Sequence, residues 1–375
     1  MKIAVVRGDY LSAWEMPIYE AWLKNHEVTI FTGKFPVYKI NFAPGFKVEK
    51  LWSPADLNFG KVKRWKMAIL NRIFVDAHVL FGLEEKLRGF DVAYVSETFY
   101  GFTHQCLEAK KKGYLKSVVS HASENTPFNN ESIWGKGAWK QQAMREMEKF
   151  VAITAGAEKV LLQEGCDSEK IVRLYPGIDR RIFKPLSVVD FRGVKKNDRV
   201  KLLFVGRLVP EKGILEILKM FTQLSKNFPK LELVVADRGP LASVVEEYAA
   251  AHKNVYYLGR IDPYQDMAKL YSLCDIYLHF SVGSPTWVEQ YGFNLLEAMA
   301  CGLPVMGLDK GSVKEVVRNG GRVVGKREYL PTLEKLIRSV TLRKTISRQA
   351  LELVQSEYDA KIHANDLEKL FKSTL

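Results

Sequence analysis

Cysteine is scarce in this 375-residue chain: Cys106, Cys166, Cys274 and Cys301 stand far apart, with no C-x-x-C pair. That spacing argues against a disulfide framework or a zinc site and fits reduced, buried thiols. Long apolar runs are missing too. The most apolar long segment, 67–82, is interrupted by Asn71, Arg72, Asp76 and His78, so no membrane-spanning helix is expected. The N-terminal "MKIAVVRGDY" has too short an apolar region for a signal peptide and reads as a first buried strand. The expected location is cytoplasmic, with peripheral contact at the inner face of the membrane left open. Acidic residues are also in deficit, 43 against 56 Lys and Arg, for a net charge of +13. Such an excess calls for an anionic partner: nucleic acid, an anionic membrane surface or a phosphorylated ligand.

What is present is ample core material, 47% hydrophobic and 11% aromatic, enough for two domains. Segments 2–6, 26–32, 91–96, 116–120 and 150–154 read as strands, several apolar throughout, as in parallel sheets covered on both faces. Helical patterns, such as 103–113 and 137–149, lie between them. A second series begins at "VKLLFVG" (200–206) and continues at 231–237, 255–259, 274–281 and 303–308. The fold class is therefore α/β, with two Rossmann-like doubly wound domains and a ligand cleft expected between them. The expected boundaries are 1–180 for the first domain and 181–357 for the second, with turn-rich residues 175–199 as linker. Segment 358–375 is expected to be a final helix with Ile362, Leu367, Leu370 and Phe371 on one face, able to pack back on the first domain.

Two stretches carry candidate chemistry. In "VEQYGFNLLEAMACGLPV" (288–305), Gly292 precedes a helix that Gly302 and Pro304 end. A helix start of this kind suits an anion. Glu297, a turn inside, can accept vicinal hydroxyls such as those of a ribose, and Glu289 another polyol; the spacing alone also fits ordinary packing. In "FVGRLVPEKG" (204–213), a strand ends at Gly206, and Arg207 and Lys212 follow across a proline loop. A guanidinium fork and an ammonium beside a strand end suit a diphosphate, though a solvated basic loop would look the same.

Together these stretches resemble the retaining GT-B glycosyltransferases of family 4, also called glycosyl transferases group 1. The resemblance rests on "VGRLVPEKG", the E-x7-E of "EQYGFNLLE", "EAMACGLPV", "KGSVKEVVRNGG" (310–321), "YPGID" (175–179) and "HEVTIFT" (26–32). It implies a hexosyl-type transferase that moves a sugar from a nucleotide-diphosphate donor to an acceptor hydroxyl, with retention and without a metal or other cofactor. It implies Arg207 and Lys212 on the donor diphosphate, Glu297 on the ribose and Glu289 on the donor sugar. Gly206 and Gly292 would line the donor site, with the amides of Phe293 and Asn294 near the distal phosphate. It further implies a sugar or lipid-linked acceptor on the first domain. Preorganised cations and amides stabilise a leaving diphosphate directly, and the sequence holds no D-x-D motif. Two loops depart from the family pattern: "RGDYLSAWE" (7–15) has only Gly8, and "ADRGP" (236–240) has Ala236 where glycine is common.

His121, after a strand of the first domain, matches a histidine that similar enzymes place near the donor sugar; local hydrogen bonding is the alternative. Glu97 follows another strand and could reach the acceptor. His279 lies in an apolar run and is expected to be structural. Ser312 and Glu315 match an S-x-x-E capping box. In "GKVKRWKMAILNRIF" (60–74), Lys61, Lys63, Arg64, Lys66 and Arg72 flank Trp65, Ile69 and Ile73, which recur at helical spacing. That face is expected to pack on the first domain with a basic rim; the alternative is contact with an anionic membrane. "EAKKKGYLK" (108–116) adds charge to the same domain. Rival activities are a GT-B-like sugar-nucleotide epimerase or phosphorylase. A basic nucleic-acid-binding protein is a rival from another class, and no nucleic acid is expected, because the charge is scattered without a basic-aromatic recognition motif.

Overall fold

The structure, a computed structural model, describes residues 1–38, 40–57, 63–284 and 287–375; the side chains of 63–68 are outside that description. The chain divides into two compact units. One comprises Met1–Pro176 with Ala360–Leu375, the other Gly177–Asp359.

The first unit holds seven parallel strands: β1 (Lys2–Gly8), β2 (Glu27–Gly33), β3 (Lys47–Leu51), β4 (Phe90–Ser96), β5 (Leu115–Ala122), β6 (Lys149–Ala152) and β7 (Ile171–Arg173). Their order is β3-β2-β1-β4-β5-β6-β7, so the winding reverses between β1 and β4. Ile3, Val5, Val92 and Val119 face one core with the helix Met16–Trp22, while Ala4, Val6, Ala93 and Val118 face the other with Phe102 and Leu107. Burial on both faces explains why the sequence of these strands does not alternate.

The final helix, Ala360–Ser373, belongs to this unit. Ala364, Leu367 and Phe371 join the core around Trp22, whose indole N–H donates to Ala364 O at 2.9 Å. Burying Leu367 and Phe371 contributes about 1.5–3 kcal/mol each.

The second unit begins with a short antiparallel pair, β8 (Asp190–Phe191) and β9 (Val194–Lys195), inside the stretch expected to be linker. Its sheet is again all parallel: β10 (Val200–Val205), β11 (Leu231–Ala236), β12 (Val255–Tyr257), β13 (Ile276–His279), β14 (Val305–Leu308) and β15 (Gly321–Val324). The order β12-β11-β10-β13-β14-β15 places the reversal between β10 and β13. The helix Ile214–Asn227 shows why the pattern folds this way. Ile214, Ile217, Leu218, Phe221 and Leu224 form one buried stripe, and Pro229 follows the helix end.

Candidate active site

In doubly wound sheets, ligands bind outside the carboxyl ends of the strands where the winding reverses. In the second unit those ends are Val205 of β10 and His279 of β13. Gly206 follows β10 with φ +155°, a conformation that favours glycine. Arg207 comes next; its side chain is exposed and makes no ion pair among the described residues. Pro210–Lys212 form one 3-10 turn, and Gly213, at φ +74°, opens the helix Ile214–Asn227. A Cβ on Gly213 would lie 2.2 Å from Phe280 O, so only glycine lets this turn approach the segment after β13. Val282 N also donates to Glu211 O at 2.9 Å. Lys212 is thereby locked against the end of β13.

Its ammonium meets Glu289 Oε2 at 2.6 Å and lies 4.7 Å from the centre of the Trp287 ring. The same carboxylate oxygen receives His279 Nε2 at 3.0 Å and Ser281 Oγ at 2.9 Å. Burial pushes the Glu289 carboxyl up, but the bond from His279 and the charge of Lys212 more than offset this and hold it well below the usual range. His279 Nδ1 is buried without a partner among the described residues. A proton on His279 Nε2 serves Glu289, and Lys212 brings a fixed charge to the same oxygen.

Gly292, at φ +79°, begins the helix Phe293–Ala300. Asn294 Nδ2 donates to Val205 O at 2.9 Å, tying the helix start to the end of β10. Glu297 is buried on this helix; its Oε2 accepts from the Tyr271 hydroxyl at 2.7 Å and its Oε1 from the Tyr264 hydroxyl. Burial raises the Glu297 carboxyl and the two tyrosine bonds lower it, the balance remaining upward. Gly206, Arg207, Lys212, Glu289, Gly292, Phe293, Asn294 and Glu297 thus assemble at one switch point.

His279, expected to be structural, is buried and bonded to Glu289 Oε2. For Ser312 the structure corrects the sequence. Ser312 makes no capping bond; its hydroxyl donates instead to Gln290 O at 2.5 Å and Glu289 O at 3.3 Å. With Gly311, whose Cβ would lie 2.4 Å from Glu289 O, it clamps the backbone of the acid. Tyr264, Tyr271 and Ser281 were not singled out, because an isolated hydroxyl residue carries no spacing signal.

His121 and Glu97 lie in the first unit, at the ends of β5 and β4. Glu97 N donates to His121 O at 2.8 Å, yet the side chains part to opposite faces of the sheet. His121 sits against Tyr94, its Nδ1 at 3.4 Å from the phenol, and against Trp14. Burial, then the charge of Arg7, hold its ring well below the usual range, so it is neutral. Glu97 has φ +55°, an uncommon conformation for this residue. Its Oε1 accepts from Ser123 N at 2.9 Å and Ser123 Oγ at 2.6 Å. Burial pushes its carboxyl up to about 7. Glu97 lines a recess with Phe99, Glu124, Lys140, Leu161 and Glu164, and Lys140 is neutralised there by Glu164 at 2.5 Å and Glu131 at 3.0 Å.

The basic segments behave differently from one another. Lys61 and the side chains of Lys63, Arg64, Trp65 and Lys66 lie outside the described residues. The helix Lys63–Phe74 exposes Ile69 (54%) and Ile73 (65%), so the expected packing of that face is not observed. In 108–116, by contrast, Lys110, Lys111, Lys112 and Lys116 pair with Glu148, Glu108, Glu84 and Asp91. Among the described residues no helix is long and apolar enough to cross a membrane, and no His, Cys, Asp and Glu side chains are grouped as metal ligands.

Two doubly wound units of this kind make up the GT-B fold. The fold matches the Anabaena protein HepE in its complex with UDP over 100% of both chains, at TM-score 0.73 and 16% identity. It matches the Thermosynechococcus elongatus sucrose-phosphate synthase over 100% of this chain and 98% of that one, at TM-score 0.74 and 16% identity. Residues 189–351 match the family described as glycosyl transferases group 1. An uncharacterized glycosyltransferase of Methanocaldococcus jannaschii is 24% identical over 97% of this chain and 89% of its own length. The D-inositol 3-phosphate glycosyltransferase of Stackebrandtia nassauensis is 26% identical over 62% of this chain, a match spanning 54% of that protein.

Proposed function

We propose that this glycosyltransferase takes a nucleotide-diphosphate sugar in its second unit and transfers the sugar, with retention, to an acceptor hydroxyl offered by the first unit. One observation carries the reading: Lys212, Glu289, His279 and Ser281 form a single buried cluster where β10 and β13 end. A cluster anchored on both strands is preorganised, and fixed charge at a leaving group lowers a barrier without reorganisation at the moment of reaction.

The roles are those that the family resemblance implies, and the geometry supports them. Arg207, exposed and without an ion pair among the described residues, is available to a diphosphate; Lys212 stabilises it as it leaves. The first-turn amides of the helix Phe293–Ala300, that of Asn294 among them, offer donors near the distal phosphate. Glu289 contacts the donor sugar, and Glu297 takes the ribose hydroxyls. In a retaining transfer, the acceptor oxygen attacks the face from which the diphosphate departs, and the leaving phosphate oxygen takes the acceptor proton. His121 stays a neutral hydrogen-bonding group toward the sugar, and Glu97 serves the acceptor.

The test is a thermal-shift screen of the intact protein with UDP, GDP, ADP and their hexose conjugates, followed by detection of the released nucleoside diphosphate. One nucleotide class raising the midpoint, with the shift lost in Glu297→Ala, supports the reading. No shift with any nucleotide, or release of sugar phosphate instead, would sink it.

The acceptor side carries a partner proposal. Exposed Ile69 and Ile73 lie on one basic helix, and Phe35, Trp52 and Phe81 are exposed nearby, Phe35 and Trp52 with ring centres 6.2 Å apart. Phe81 N donates to Trp52 O, and Lys34 Nζ lies 4.3 Å from the centre of the Trp52 ring. Aromatics and aliphatics flanked by cations suit an anionic bilayer surface and a lipid-linked acceptor. Flotation with anionic, but not neutral, liposomes is expected, and it should be lost in Ile69→Asp/Ile73→Asp. Equal recovery of both proteins removes the idea.

A further inference from the structure

Glu289 and Glu297 sit nine-tenths buried in one site, yet they are held by different chemistry. Glu289 has an ammonium, an imidazole and a hydroxyl on one oxygen. Glu297 has no cation among the described residues; two neutral phenols serve it, Tyr264 on Oε1 and Tyr271 on Oε2. An ionised carboxylate offers about four acceptor positions, so two remain unfilled. A buried carboxylate left half-served and unpaired is costly unless a ligand completes it.

The phenols are themselves fixed. Tyr271 lies buried on the helix Met267–Leu273, its ring centre 5.9 Å from Tyr277 and 6.3 Å from Phe183. Tyr264 starts the 3-10 turn Tyr264–Asp266, and its ring packs edge-on against Phe183 at 5.3 Å. Neither hydroxyl can swing away without leaving its packing.

We infer that Tyr264 and Tyr271 are positioning residues for nucleoside recognition: their hydroxyls aim the carboxylate of Glu297 so that its two open lone pairs receive the vicinal ribose diol of the donor. The inference rests on reading the second unit as the donor site. Neutral donors suit this task better than a cation. A lysine bonded to Glu297 would neutralise the carboxylate that the diol must meet and set a rival attraction for the diphosphate, whose place is beside Arg207 and Lys212.

The phenols also keep the acid in its accepting form. Burial favours the protonated carboxyl, and the two hydroxyls oppose it. The titratable groups around Glu297 are Tyr264 on the turn, Tyr271 on its helix, Tyr277 on β13 and Cys301 at the end of its own helix. Asp179, which faces Tyr264, is engaged by Arg181 at 2.8 Å. Removing one phenol bond therefore shifts protonation of Glu297 to higher pH. A protonated carboxyl accepts the diol poorly, so diol recognition is lost as pH falls, and lost sooner in the variant.

The experiment measures Kd by calorimetry on the intact protein between pH 5.5 and 8.5. The probes are UDP, GDP and ADP, and for whichever binds, its 2′-deoxy counterpart. The ratio of deoxy to ribo Kd reads the diol contact alone. In the parent protein it should be about tenfold or more at high pH, as expected for a hydrogen bond to a charged group. Tyr264→Phe should lower that ratio several-fold at neutral pH and move its midpoint upward, with recovery at pH 8.5. Tyr271→Phe gives the same signature should it fold, and Tyr264→Phe, on a partly exposed turn, keeps the test independent of it. A merely structural tyrosine would lower the melting temperature while leaving ratio and midpoint unchanged. That outcome, with nucleotide still bound, would overturn this inference alone; absence of any nucleotide binding would overturn the donor reading as well.

Discussion

Lys212 and Glu289, 77 positions apart in the chain, form a 2.6 Å ion pair whose partners expose only 14% and 7% of their side chains. The residue assigned to the diphosphate and the residue assigned to the sugar are one unit before any ligand arrives. Their order is set by the strand ends that carry them, so the site does not have to be assembled by its substrate.

That pairing makes Glu289 a stability residue as well. Glu289→Ala leaves a buried ammonium, an imidazole and a hydroxyl without their acceptor and should cost about 3–5 kcal/mol. Lys212→Met should cost less, because His279 and Ser281 still serve the carboxylate. Urea unfolding of the two variants checks the order; equal losses would contradict it.

Kinetics should separate Glu297 from Lys212. Lys212→Ala removes charge that matters most as the diphosphate departs, so kcat should fall by roughly 10²–10³, while nucleotide Kd moves far less. Glu297→Ala should show the reverse split. Steady-state rates together with calorimetric Kd values decide it.

Glu97 gives the first unit a pH dependence. Its folded-state pKa, about 7, lies above the ordinary value of 4.5. Its folded form therefore binds the proton more tightly, and this stabilisation, complete below pH 4.5, is lost as pH rises through 7. The slope approaches about 1.4 kcal/mol per pH unit within that window. Glu97→Gln keeps an oxygen for Ser123 and should abolish the slope, so it should gain stability relative to the parent at pH 8. Denaturation curves at pH 5 and 8 test it; a variant no more stable at pH 8 than at pH 5, relative to the parent, argues against it.

Two glycines should behave unequally. Gly213 and Gly259 both have positive φ, +74° and +60°. A Cβ on Gly213 meets Phe280 O at 2.2 Å, whereas one on Gly259 meets nothing within 4 Å. Gly259→Ala should cost about 1–2 kcal/mol from backbone strain alone. Gly213→Ala should cost more and also reduce transfer, since the Lys212 turn must move. Stability and activity of the pair check both parts.

Much of this was legible in the residues. Apolar strands covered on both faces announced two doubly wound units, and Gly292 and Gly302 with Pro304 marked a helix whose limits the structure reproduces as Phe293–Ala300. Arg207, Lys212, Glu289 and Glu297 stood out through the motifs they share with the family, since their spacing alone fits packing or a solvated loop as well. What stayed hidden was set by tertiary contact. Nothing near His279 signals that Glu289 folds back onto it, and Ser312 looked like a cap because its spacing is that of a cap. Tyr264 and Tyr271 meet Glu297 only once the helix Met267–Leu273 packs beside the helix Phe293–Ala300. His121 and Glu97 each follow a strand in the sequence, and only the sheet shows that these strands are adjacent and that alternation sends the two side chains to opposite faces.

The return of the last helix to the first unit has a practical consequence. The chain enters the second unit at Gly177 and leaves it at Asp359, and Ile178 pairs with Asp359 there, with Ile178 N donating to Tyr358 O at 2.7 Å. Topologically, the second unit is an insertion whose two ends meet. Residues 177–359 can thus be cut out as one continuous fragment with its ends already closed. Cutting after Asp359, by contrast, strips Leu367 and Phe371 from around Trp22 and opens the core of the other unit.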